Sequence, residues 1–190
     1  RRKADNAYDQ SIFKERIALD IYEHPKDGSK AVALEISELI KKKQSENKKC
    51  ILGLATGSSP LSIYSELIRL HKEDNLSFKN VITFNLDEYL PMDPKSKHSY
   101  NKFMYDNLFN HIDIQSENIN IPRGDLNPNE VEQYCIEYEN KINSLGGIDF
   151  QLLGIGRNGH IGFNEPGSLE SSITRKVNIE YSTRFDAADE

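Results

Sequence analysis

CILGLATGSSPLSIY, running from Cys50 to Tyr64, holds the key to the fold. Its first six residues carry no charge, the turn Thr56-Gly57-Ser58-Ser59 ends them, and after Pro60 the residues Leu61, Tyr64, Leu67 and Ile68 return at helical spacing. A short apolar run bounded by glycine and serine reads as a buried strand, and the change to a three-and-four period marks a helix. Upstream, Val32, Ile36, Leu39 and Ile40 repeat the helical spacing between Ser29 and Lys43. Downstream, VITFNL (Val81 to Leu86) is a second strand, DEYLPMDPKSKHS a polar loop, and Tyr100, Phe103, Met104 and Leu108 one face of a further helix. Another strand and helix follow. Asn127-Pro128-Asn129-Glu130 carries the marks of a helix start: a capping Asn, Pro in the first position and Glu three residues past the cap. Val131, Tyr134, Cys135, Tyr138, Ile142 and Leu145 form that helix's apolar face before Gly146-Gly147, and IDFQLLGIG (Ile148 to Gly156) reads as a third interior strand. Strands alternating with helices give an α/β fold, a three-layer, Rossmann-like, mostly parallel sheet with helices on both faces. The chain stops at Ala-Ala-Asp-Glu without a closing element, so the expectation over 1–190 is a single domain truncated at its C-terminal end, with an exposed sheet edge.

Composition narrows the function. The 190 residues hold 24 Lys and Arg against 30 Asp and Glu, a net charge of −6, with no basic block beyond Lys41-Lys42-Lys43. That argues against nucleic acid and against an anionic membrane as partners. Cys50 and Cys135 are widely separated and show neither a CxxC motif nor zinc-ligand spacing, which points away from disulfide scaffolds and structural metal sites and toward a reducing cytoplasm. Nothing resembles a membrane span or a signal peptide.

In parallel sheets, ligands bind beyond the carboxyl ends of the strands, and three loops fall there. Thr56, Gly57, Ser58 and Ser59 offer hydroxyls and free N–H groups at a helix start, suited to phosphate; the competing reading is an ordinary turn with Ser59 as cap. Asp87, at the end of VITFNL, is a candidate general base, against a competing reading as a solvated or capping loop acid. The third loop, GIGRNGHIGFNEPG, has five glycines in fourteen positions and carries Asn158, His160 and Glu165. Histidine is the side chain most used to carry protons at neutral pH, and Glu165 is expected to hold the second ring nitrogen of His160 and set the tautomer. His24, His71, His98 and His111 read as surface or structural residues, His98 being the one nearest a candidate loop.

Together LGLATGSSPLSIY, SFKNVITFNLDEYL, ENINIP and LLGIGRNGHIGFNEPG resemble the glucosamine-6-phosphate deaminase family, also called glucosamine-6-phosphate isomerase, over roughly Tyr22 to Arg184. The FNEP continuation separates them from the sugar-phosphate lactonases of similar fold. The resemblance implies conversion of D-glucosamine 6-phosphate to D-fructose 6-phosphate and ammonia in amino-sugar catabolism, without metal or organic cofactor, by a homo-oligomer that is a hexamer or smaller. It implies catalytic roles for Asp87, Asn158, His160 and Glu165 and phosphate binding by the Thr56 to Ser59 loop, with Arg184 a candidate anion ligand. Family members carry Asp or Asn at the position of Asn158; Asn shares no negative charge, so an imidazolium is less stabilised beside it and the pH optimum differs. Arg175 fits a position that binds the activator N-acetylglucosamine 6-phosphate, but Val177 stands where a lysine is expected, so activation by that ligand is not expected. FDAADE departs from the family pattern and resembles longer bacterial proteins in which a second domain follows. The alternatives are a 6-phosphogluconolactonase-like hydrolase, which needs no proton shuttle at Asp87, and a non-catalytic sugar-phosphate sensor, which needs none of the catalytic acids.

Overall fold

The computed structural model describes residues 18–181 together with Thr183 and Arg184; the FDAADE segment lies outside the described residues. In chain order the elements are α1 (Pro25–Ser45), β1 (Cys50–Leu54), α2 (Leu61–Glu73), β2 (Val81–Asn85), α3 (Tyr100–Asn107), β3 (Ile119–Asn120), α4 (Val131–Ser144) and β4 (Phe150–Gln151). All strand pairings are parallel, in the order β3-β2-β1-β4.

Alternation along the two central strands builds the layers. Cys50, Leu52 and Leu54 of β1 and Val81 of β2 pack with Ala33, Ile36 and Ile40 of α1, with Ile63, Tyr64, Leu67 and Leu70 of α2, and with Met104 of α3. Their neighbours Ile51, Ile82 and Phe84 point the other way, onto Tyr138, Tyr134 and Ile142 of α4. The fold is therefore the three-layer α/β sandwich that the sequence predicts. β2 and β3 extend the sheet to one side of β1, then α4 crosses the opposite face and β4 joins β1 on its other side. The order reverses at β1, and the loops leaving β1 and β4 part there.

The structure corrects several element bounds. α1 begins at Pro25 rather than Ser29, with Pro in its first turn, where its missing N–H costs nothing. Asn127 and Glu130 do interact, the Glu130 carboxylate accepting from the Asn127 backbone N–H at 2.9 Å and from its side-chain amide at 2.7 Å. The Glu130 N–H, however, reaches back only three residues, to the Asn127 carbonyl, so this first turn is a tight one and α4 proper starts at Val131. The predicted interior strand from Ile148 to Gly156 shrinks to the half-buried pair Phe150–Gln151; among the described residues β4 lies at the edge of the sheet, and beyond it Leu153 and Ile155 are exposed. Asp149 fastens this short strand. Its N–H donates to the Ile51 carbonyl, and its carboxylate accepts from the Ile51 N–H at 2.9 Å and from Lys43 Nζ at 2.5 Å. β3 is equally short. Cys50 and Cys135 are both free thiols, and among the described residues no helix is long and apolar enough to cross a membrane.

The two faces of α1 should separate in stability measurements. Ile36 is fully buried and Leu34 is 48% exposed on the same helix. Ile36→Ala should lower the unfolding free energy by about 2–5 kcal/mol through lost burial and a residual cavity. Leu34→Ala should change it by less than about 0.5 kcal/mol. Urea unfolding of both variants checks the contrast.

Candidate active site

The loop after β1 is anchored before it turns: the Tyr64 hydroxyl, buried in α2, donates to the Ala55 carbonyl. Gly57 has φ +101°, a conformation that side chains disfavour, and it swings the chain toward α2. Ser59 does not cap that helix. The cap position is Pro60, which makes no side-chain cap bond, and the first turn contains no acid. The N-terminal N–H groups of α2 thus lack a capping side chain, and Ser58 and Ser59 stand exposed beside them.

After β2 the adjacent acids Asp87 and Glu88 take different work. Glu88 is structural: its carboxylate accepts from Ser99 Oγ at 2.7 Å and from the Tyr100 and Asn101 N–H groups at 3.1 and 3.0 Å, closing the start of α3. This is the capping reading of the acidic pair, realised at Glu88. Asp87 faces the cleft. Burial, and then the neighbouring Glu88 charge, push its carboxyl from 3.8 up to about 7, so it exchanges a proton near neutrality. Beside it Tyr89, Tyr100 and Phe163 form an aromatic wall, with ring centroids 4.9 Å apart for Tyr89 and Tyr100 and 5.1 Å for Tyr89 and Phe163. The Tyr100 hydroxyl donates to that of Tyr89 at 3.0 Å; burial and this bond hold it well above the usual phenol range.

The glycine-rich loop after β4 folds back on itself. Gly156 N–H donates to the His160 carbonyl at 2.8 Å, and the imidazole lies so close over Gly156 that a Cβ there would meet Cε1 at 2.1 Å. No other residue type leaves the ring in place. His160 Nδ1 is 2.7 Å from Asn158 Oδ1, and Asn158 Nδ2 donates to Glu165 Oε2 at 2.9 Å. An ionised carboxylate only accepts, so Glu165 fixes the amide orientation, and the amide oxygen in turn requires a proton on Nδ1. The Nε2 lone pair is left as the basic site. Glu165 therefore governs the tautomer through Asn158, and not by the direct contact expected from sequence; the ring's second nitrogen is already filled by the nearer amide. Burial pushes the Glu165 carboxyl up, but bonds from Thr183, Asn158 and the Glu180 N–H, with the nearby imidazole, outweigh it and hold Glu165 below the usual range.

These three loops enclose a cleft of about 330 Å³ at the sheet's point of reversal. Thr56, Gly57, Ser58, Ser59, Asp87 and His160 all line it, so the structure brings together most of the residues singled out from sequence. Asn158 and Glu165 stand behind His160. Arg184 is the exception: it is exposed, its N–H is bonded to the Glu180 carbonyl, and its neighbour Thr183 lines the cleft instead. His98 is exposed and outside the cleft lining. Sequence reasoning missed Arg157, Phe163 and Thr183 in the wall, and it took Tyr100 only as a helix-face residue. An aromatic or a cation inside a glycine-rich motif, where no core needs it, was the available signal.

The comparisons with known proteins agree with this geometry. A family model for glucosamine-6-phosphate isomerases and 6-phosphogluconolactonase matches residues 23–174. A glucosamine-6-phosphate deaminase-like protein of Bacteroides thetaiotaomicron is 43% identical over 98% of this chain, which spans 28% of that protein. A glucosamine-6-phosphate deaminase of Thermoanaerobacter is 49% identical over 77% of the chain and 57% of its own length. The chain thus spans less than two thirds of these relatives. The solved structure of a monomeric glucosamine-6-phosphate deaminase superposes with a TM-score of 0.83 at 42% identity, covering 88% of this chain and 67% of that one. With the matching model spanning most of the fold and all three loops, the chain belongs to the family of glucosamine-6-phosphate isomerases and 6-phosphogluconolactonases.

Proposed function

We propose that the protein is a glucosamine-6-phosphate deaminase, converting D-glucosamine 6-phosphate and water to D-fructose 6-phosphate and ammonia. The observation that carries this reading is a pair of proton-transfer groups in one cleft: a carboxyl poised near pH 7 at Asp87 and an imidazole at His160 whose free Nε2 is set by Asn158 and Glu165. Ring opening needs one of them. His160 Nε2 takes the proton from the C1 hydroxyl and returns it to the ring oxygen, the ionised Glu165 stabilising the transient imidazolium through the Asn158 amide. Isomerisation needs the other. Asp87 removes the proton from C2 and delivers it to C1, while the C1 carbonyl oxygen gains a proton and the amine nitrogen gives one up, leaving a hydroxyl at C1 and an imine at C2; water adds there, and the carbon–nitrogen bond breaks to release ammonia and leave the ketone. The Thr56 to Ser59 loop binds the phosphate, positioning C1 and C2 before Asp87 acts.

The lactonase chemistry found elsewhere in the family opens a ring without moving a carbon-bound proton, and it gives Asp87 nothing to do. Ammonia release is the direct test, run with the full-length protein on D-glucosamine 6-phosphate, D-galactosamine 6-phosphate and 6-phosphogluconolactone. Turnover of the gluco amino sugar alone is the expected result; hydrolysis of the lactone without ammonia release would replace the reading.

The two proton-transfer groups should fail differently. Asp87→Asn should cut kcat by roughly 10²–10⁴ and abolish exchange of C2 deuterium, while changing phosphate affinity less than about threefold. Exchange at the parental rate would remove Asp87 from the role of base. His160→Gln should cost more on the closed pyranose than on an open-chain analogue, and equal losses would dissociate His160 from ring opening.

The raised Asp87 carboxyl also sets two pH dependences. Because the base must be ionised, kcat/KM should rise with pH through about 7. Stability should move the other way. The folded protein favours the neutral carboxyl while the unfolded chain ionises near 3.8, so this contribution is full below 3.8 and is lost as pH rises to about 7. Asp87→Asn, which cannot ionise, should therefore exceed the parent in stability at pH 8 by on the order of 1–3 kcal/mol, with the gap closing toward pH 4. Thermal melting at both pH values measures it.

A further inference from the structure

We infer that a second cavity, behind Asp87, carries the water that enters the reaction and the ammonia that leaves it. This cavity of about 350 Å³ lies on the α4 side of the sheet, where Val131, Cys135 and Glu139 succeed one another a helical turn apart and face the chain from Ser172 to Val177. α4 buries only Val131 and Tyr138, so much of its inner face is not packed against the core. Hydrogen bonds, rather than interdigitated side chains, hold the two walls: the Glu139 carboxylate accepts from the Thr174 N–H at 2.6 Å and from the Thr174 hydroxyl at 2.7 Å. Arg123, Arg175 and Lys176 are exposed at the rim, and none of them lines the cleft, so the cavity meets solvent on a side of its own.

Leu86, Asp87, Tyr89 and Phe163 line both this cavity and the cleft, so a partition one residue thick divides them. Asp87 is the only carboxyl that the two linings share. Gly162 leaves bare backbone against it, since a Cβ there would stand 3.4 Å from Asp87 Oδ2. The inference rests on the deaminase reading, because that reaction has a reagent to admit and a product to discharge at the carbon Asp87 serves. A hexose phosphate seated in the cleft stands between C2 and the cleft's own mouth, and Tyr89, Tyr100 and Phe163 close the wall beside it. Water from the rear reaches C2 past Asp87, which is ionised again once its proton is on C1. The water oxygen bonds to C2, and one water proton passes by way of Asp87 to the nitrogen. The other moves from the new hydroxyl to the nitrogen as the carbon–nitrogen bond breaks, and ammonia departs through the same cavity. Water and ammonia each have a single heavy atom, so side-chain rotation within the partition suffices to admit them.

Filling the rear cavity from α4 tests this without touching the cleft. In the full-length protein, Cys135→Phe and Cys135→Trp add bulk to the cavity wall. Ile136→Trp adds it at the next residue of the same helix, which is 44% exposed and lines neither cavity. Thermal melting checks the folding of each variant. Ammonia release from D-glucosamine 6-phosphate should fall about tenfold or more in Cys135→Trp, and by less in Cys135→Phe. In the reverse direction, the amination of D-fructose 6-phosphate, kcat/KM for ammonium should fall by a similar factor while KM for D-fructose 6-phosphate stays within about twofold, a split that distortion of the cleft would not give. Ile136→Trp should match the parent. Release within about twofold of the parent in folded Cys135→Trp, or in Cys135→Phe should the larger residue prevent folding, overturns the inference and leaves the deaminase reading standing. An equal loss in Ile136→Trp, or a KM for D-fructose 6-phosphate that rises along with the loss, overturns it in the same way. A parent that releases no ammonia removes both.

Discussion

The constraint from which the rest follows is that β1 is buried on both faces and paired on both edges, with the sheet growing from it in opposite directions. A central parallel strand has no exposed surface on which to carry chemistry. Its only outlet is its carboxyl end, where the two flanking connections diverge and leave a gap that no side chain of the core fills. The three loops that line the cleft occupy that gap. Asp87 comes from the neighbour on one side, the histidine loop from the neighbour on the other, and the serine loop from β1 itself. Mutual placement of groups far apart in sequence is thereby delegated to backbone hydrogen bonds, whose spacing is fixed by the sheet.

Within that frame the acids divide the labour. Glu88 and Glu165 are surrounded by donors and act by orienting other groups, one the start of α3 and the other an amide. Asp87 is left close to apolar and aromatic neighbours, and its proton is correspondingly hard to remove. The same scarcity of donors that lifts the Asp87 carboxyl toward neutrality makes its ionised form a burden on the folded state. His160 is treated oppositely: it is pinned through two residues, and its contact with Gly156 leaves the ring one position.

Much of this was legible in the sequence, because β1, β2, α1 and α2 bury continuous runs or clean stripes, and burial of that kind imprints a period on the residues. β4 was misjudged for length. A two-residue edge strand is decided by pairing with its neighbour, and IDFQLLGIG is as apolar outside the sheet as within it. That Asp87, His160 and the serine loop would share one cleft was legible in the loops, since these residues have no reason to occur together in a core. Their connectivity was not. Whether Glu165 touches His160 or reaches it through Asn158 depends on a folded-back turn of a few residues, and whether Arg157 or Arg184 faces the cleft depends on side-chain direction at chain positions without periodicity.

The adjacency of Asp87 and Glu88 has a consequence for how this segment can change over evolutionary time. Two carboxylates next to each other in an extended exit from β2 are told apart only by phase, one side chain facing the cleft and the next facing α3. Substitutions elsewhere in the Leu90 to Ser99 loop leave that phase alone. A single-residue deletion between Asn85 and Asp87 would bring Glu88 to the place of Asp87 and Asp87 to that of Leu86, and an insertion would bring Asp87 to the place of Glu88; either shift separates both acids from their present surroundings. The segment is thus a reading frame in miniature, more tolerant of altered letters than of altered length.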